Sequence, residues 1–178
     1  MVVGVDDEAA MRLLRLFNEA SGKDCLAHYG VDSDFAEQLE LLGISGIGNV
    51  LAAIKFAKYY ELTEDDHVVT ILTDSMELYG SRIEELAEER GQYTNIDAHK
   101  DMQLLMDSGI DNVLELTHYE KKRIHNLKYF TWIEQQGREL SELNDQWYGH
   151  AEYWQNIFTL APQIDELIVE FNRHIDAA

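Results

Sequence analysis

Residues 41–75 read LLGISGIGNVLAAIKFAKYYELTEDDHVVTILTDS, and this stretch decides the expected fold. Gly43, Gly46 and Gly48 mark a glycine-rich turn that opens a helix from Asn49 to Leu62. There Val50, Leu51, Ala53, Ile54, Phe56 and Ala57 leave only a narrow polar stripe at Lys55 and Lys58. A helix apolar on most sides is buried, and its lysine stripe is expected to meet solvent. His67 to Thr73 (HVVTILT) is β-branched and nearly continuous in apolar character, as in a strand covered on both faces. It ends at Asp74-Ser75, after which Met76, Tyr79, Ile83 and Leu86 trace one helical face. The series helix, glycine turn, helix, strand, helix predicts an α/β fold. It would be a partial three-layer sheet with parallel strands flanked by helices.

Towards the N-terminus, Met1 to Val5 is a short apolar run open to a strand reading. Asp6 can cap a helix whose first turn holds Asp7 and Glu8 and whose apolar face is Ala10, Leu13, Leu14 and Phe17. Asp34 to Leu42 reads as another helix. Towards the C-terminus the character turns helical after Gly91. Thr94 with Asp97, and Thr117 with Glu120, have capping-box spacing. A helix from Thr117 to Gln136 would stop at Gly137. Ala161 to Ile175 is the cleanest amphipathic helix, with Ile164, Leu167, Ile168, Phe171 and Ile175 on one side. The chain divides softly near Gly91, into an α/β segment (1–91) and a mostly helical extension (92–178).

The 178 residues suit a domain able to bury a sizeable core. They carry 34 acidic and 14 basic residues, a formal net charge of -20. Such a field repels phosphate backbones and anionic lipid, so neither nucleic acid nor a membrane surface is an expected partner. The acids are spread along the chain; a surface suited to high salt and an ordinary acidic protein both fit. No apolar run reaches a membrane span, and MVVGVDDEAA lacks a basic signal-peptide start, so the composition reads as a cytoplasmic domain. The single cysteine, Cys25, excludes an internal disulfide and a CxxC metal site.

Two short constellations carry possible chemistry. Glycines at a helix start permit close backbone approach and offer free N–H donors, although by spacing alone a tight turn packed on a neighbour is the better explanation. Thr73-Asp74-Ser75 lies at the carboxyl end of the expected strand, where α/β folds bind ligands, yet Asp74 and Ser75 are also ordinary helix caps. Taken in order, VVGVDDEAAMRLLRL, LLGISGIGNVLAAIKFAKYY and HVVTILTDSMELYGS resemble the C-terminal portion of the fold-type II pyridoxal-phosphate-dependent enzymes. The nearest branch is cysteine synthase-like, with tryptophan synthase β related to it. The resemblance covers roughly residues 2 to 82, and RIHNLKYFTWIEQQG looks like the tail of a longer subgroup.

The resemblance implies pyridoxal 5'-phosphate as cofactor, a small amino acid as substrate, and β-elimination or β-replacement as the reaction. It places Ser75 against the pyridine nitrogen, Asp74 beside it, and Gly43 and Ser45 in the turn facing the cofactor cleft. Tyr79 matches an aromatic of the following loop. A neutral hydroxyl at the ring nitrogen makes a milder electron sink, suited to β-chemistry rather than transamination. Thr73 stands where the family has Pro, Met76 where it has Gly, and Ile47 where its second Gly would fall. The family's Schiff-base Lys and phosphate loop lie upstream of the matched region, so no catalytic residue is assigned. The chain is expected to be an incomplete enzyme, inactive alone and completed by an upstream half or by self-association. The alternative is a non-catalytic helical interaction protein that retains the fold remnant.

Other candidates are weaker. Lys128 sits among aromatics, where a lowered pKa would suit imine chemistry, but a packed stem with a solvated ammonium is the commoner arrangement. His118 and His125 could share a helix face, without a carboxylate to complete a metal set. Trp132, Trp147, Tyr148, Tyr153 and Trp154 lack the basic setting of a base-stacking platform and read as core or interface.

Overall fold

The computed structural model describes residues 1–176, and these are mostly helical. They divide into two compact units, Met1–Glu115 and Leu116–Ala178. In the first unit β1 (Val2–Val3) leads into α1 (Asp7–Asn18), α2 (Ala20–His28), α3 (Ser33–Gln38) and α4 (Ile44–Tyr59). A short 3-10 turn at Met76–Tyr79 precedes α5 (Gly80–Arg90), α6 (Asn95–Met106) and β2 (Val113–Leu114).

Helix α1 is the centre of this unit. Asp6 caps it by accepting the Glu8 N–H at 3.1 Å, and its stripe Ala10, Leu13, Leu14, Leu16 and Phe17 is buried against α2, α4 and α6. Each such leucine contributes about 1.5–3 kcal/mol by leaving water. Glu19 is extended (φ -93, ψ 149) and serves both as C-cap of α1 and N-cap of α2, so the chain turns with no intervening loop. Thr94 and Asp97 form the expected reciprocal cap at the start of α6.

Three expectations are corrected. The α/β fold with a partial three-layer, parallel sheet is not found. The sheet among the described residues is a two-stranded antiparallel one, with Val2 opposite Leu114 and Val3 opposite Val113. Among the described residues, 67–73 pair with no strand, and they touch helix α4 at Ile71 and Leu72. β-branching favours a pleated backbone, but only a neighbouring strand makes it a sheet. The glycine-rich turn is also shorter than expected. Helix α4 begins at Ile44, so Gly46 and Gly48 lie inside it and Gly43 alone is the N-cap. Lastly, Lys55 does not meet solvent. It is 8% exposed and donates to the Asp111 carbonyl at 2.8 Å and carboxylate at 2.9 Å. That bond ties the loop before β2 to α4 and holds the Asp111 carboxyl below its usual range.

The second unit holds α7 (His118–Asn126), a π-helical turn at Tyr129–Gln135, α8 (Leu140–Tyr148), α9 (His150–Phe158) and α10 (Ala161–Asp176). Thr117 and Glu120 form the second capping box. Gly137, at φ 66, stops the helical run as expected. Leu143 and Gln146 are buried here. The apolar stripe of α10 (Ile164, Leu167, Ile168, Phe171, Ile175) is at least half exposed throughout.

Candidate functional site

The start of α4 and the segment Thr73–Tyr79 meet. The Gly43 N–H donates to the Asp74 carbonyl at 2.9 Å. A Cβ on Gly43 would lie 2.5 Å from Asp74 Oδ1 and 2.7 Å from its Cγ, so a larger residue there would push the Asp74 side chain aside. The Asp74 carboxylate accepts from Thr73 Oγ1 at 3.1 Å and from the Tyr79 hydroxyl. The bond to Asp74 raises the Tyr79 pKa, with desolvation adding to it, so Tyr79 remains a proton donor. Asp74 is thereby fixed from three directions.

Ser75 follows as N-cap of the 3-10 turn, but its side chain makes no capping bond. It lines a cavity of about 350 Å³ with Glu40, Leu41, Met76, Glu77 and Gly80. Gly43, Asp74, Ser75 and Tyr79 are therefore brought together. Ser45 is not: it is exposed on the first turn of α4 and is absent from the cavity wall.

The residues present fit part of a pyridoxal-phosphate site. A half-buried Ser75 hydroxyl with no capping partner can donate to a ring nitrogen. The rest of the wall does not suit the group. Glu40 and Glu77 repel a phosphate, and no lysine lines the cavity. Lys55 is engaged by Asp111 and Lys58 by the Ser108 carbonyl. Lys128, in the second unit, donates to Gln146 Oε1 at 2.9 Å and lies 5.4 Å from the Trp132 ring.

The sequence reading missed a second polar cluster. Asp101, 5% exposed, accepts from Arg12 Nε at 2.6 Å and from the Tyr93 hydroxyl at 2.8 Å. Arg15, equally buried, pairs with Glu19, donates to the Gly91 carbonyl at 3.0 Å and lies 4.8 Å from the Tyr93 ring. Every charge in it is matched, which marks a clamp between α1 and α6. Its sequence signal was faint, since Arg12 and Asp101 stand 89 residues apart.

Burial, then the bond to Asp101, pushes the Tyr93 pKa far above that of a free phenol. Folding thus favours the protonated phenol. Its contribution is intact below the unfolded value, about pH 10, and is lost as pH rises further. Ultraviolet titration is expected to show Tyr93 ionising only as the first unit unfolds. A Tyr93 that titrates at its free value in the folded chain would contradict the buried network.

Cys25 is buried, with Sγ 3.5 Å from His99 Nδ1. Burial raises its pKa, so it stays a thiol rather than a nucleophilic thiolate. His118 and His125 both pack at a tilt against the Trp147 ring. The second unit has a concavity of about 650 Å³, an aromatic groove along α7 and α8 that includes Lys122, Arg123 and Phe130.

Comparison with family models, with curated proteins and with solved structures finds no match for this chain.

Proposed function

We propose that this chain supplies the ring-nitrogen side of a pyridoxal 5'-phosphate site in an enzyme of amino-acid β-elimination or β-replacement. The observation that carries the reading is the convergence of Gly43 on Asp74, which leaves the Ser75 hydroxyl on a cavity wall without a capping role. When bound, such a cofactor withdraws electrons from the substrate's α-carbon. Ser75 would donate to the ring nitrogen as a neutral partner. Asp74, pinned by Gly43, Thr73 and Tyr79, positions the Ser75 backbone. The lysine and the phosphate cradle would come from other polypeptide, because the cavity wall provides neither.

The test uses pyridoxine, which has the ring but neither the phosphate nor the aldehyde. Amide chemical shifts at Leu41, Ser75, Met76 and Gly80 are expected to move on titration. Ser75→Ala is expected to weaken binding about fivefold, the worth of one hydrogen bond of about 1 kcal/mol. Absent shifts at these amides, or equal binding by the variant, would sink the proposal.

The exposed stripe of α10 favours the second reading, a non-catalytic interaction protein. It predicts association through α10 with no response to pyridoxine at Ser75.

A further inference from the structure

Residues 67–73 have the composition of a strand and no partner. Among the described residues, none of their backbone N–H groups donates a hydrogen bond, and of their carbonyls only Ile71 accepts one, from Asn49 Nδ2 at 3.0 Å. The segment runs antiparallel along α4. Asn49 meets Ile71, Gly46 lies against Leu72, and Gly43 meets Asp74. Gly43 to Asn49 spans about 9 Å of helix. Ile71 to Asp74 matches that length only when extended, at about 3.3 Å per residue. At this end of the segment Leu72 lies over Gly46. Val69 is 90% exposed and Ile71 75%. Successive residues of an extended chain present their N–H and C=O groups to opposite edges. The Asn49 amide touches the edge of Val69 and Ile71. Continued as an extended chain, the segment has its other edge at Val68, Thr70 and Leu72, whose backbone groups make no hydrogen bond among the described residues.

We infer that this second edge is a docking site for a β-strand of another polypeptide, one uncharged in its centre and basic at both ends. Open backbone donors and acceptors in an exposed β-branched run are a template for an added strand. Charge selects the partner. Glu64, Asp65 and Asp66 precede the segment, and Asp74 and Glu77 follow it. A second copy would set acids against acids in either orientation, which is destabilising across a strand pair. Lysines or arginines flanking a foreign strand would instead be attracted. The inference stands on the backbone of 67–73 and is independent of the cofactor reading.

The test is hydrogen exchange of the full chain with an excess of a synthetic peptide, a short Val/Thr/Ile run with two lysines at each end. Amides of Val68, Thr70 and Leu72 are expected to become protected. Three changes are expected to weaken binding about tenfold or more, two by removing backbone hydrogen bonds and one by reversing the charge attraction. They are alternate N-methylation of the peptide, replacement of its lysines by glutamates, and Thr70→Pro in the chain. Proline at 70 removes an N–H with no partner here, and the N-methylated peptide gives the same information without altering the chain. Three results would overturn the inference: protection elsewhere only, binding indifferent to N-methylation, or protection of 67–73 in the chain alone that grows with its own concentration. The last would identify a second copy as the occupant.

Discussion

Replacing Asp101 by Ala is expected to lower the unfolding free energy of the first unit by about 3 kcal/mol. The carboxylate is 5% exposed and serves two donors, Arg12 Nε at 2.6 Å and the Tyr93 hydroxyl at 2.8 Å. Removing it leaves the buried Tyr93 hydroxyl without an acceptor, which costs the full desolvation of that group. Arg12 suffers less, because its side chain is 34% exposed and it already reaches the Lys100 carbonyl at 3.2 Å. Asp101→Asn keeps an acceptor for one donor and should cost roughly half as much. Urea denaturation followed by circular dichroism decides the matter. A loss below about 1 kcal/mol would show that the clamp contributes no more than a surface ion pair.

Gly22→Ala is expected to have the largest effect of any single methyl group added to the chain. The added Cβ would lie 2.0 Å from the Leu16 carbonyl oxygen, 2.6 Å from its carbon and 2.8 Å from its Cα. All three are backbone atoms of α1, one turn before the α1–α2 corner, so no side-chain rotation relieves the overlap. Leu16 is fully buried, and moving it disturbs the stripe it shares with Leu13 and Phe17. The corner must open, at a cost of about 4 kcal/mol or more, in the range reserved for severe core disruption. Gly48→Ala is the control, because nothing lies within 4 Å of its added methyl. In a helix interior it should stabilise by up to about 1 kcal/mol. Equal midpoints for the two variants would mean that α1 and α2 do not meet as closely as described.

The candidate site was half legible. Residue types and spacing alone do not single out Gly43, Asp74 and Ser75; only the family resemblance groups them, and the structure sets Gly43 against Asp74 with Ser75 next in the chain. The same resemblance groups Ser45 with them. It points away because the helix begins one residue after Gly43, which puts Ser45 on the exposed side of the first turn. The pattern of its own helix alone places Lys55 in solvent. The Asp111 loop that buries it lies 56 residues further on.

The sequence by itself determined what is settled within a turn or two of chain. Asp6, Thr94 and Thr117 cap helices with their own neighbours, Gly137 ends one by its positive φ, and the Leu13–Phe17 stripe marks the buried face of α1. These outcomes depend on hydrogen bonds and side-chain spacing over three or four residues, which the order of residues states directly. Only the tertiary structure decided whether residues 67–73 form a sheet, whether Lys55 is dry, and what Arg12 and Asp101 do. Each depends on a partner brought from far along the chain. A β-branched run shows that a strand is favourable, but its backbone bonds belong to a neighbour that the run does not encode.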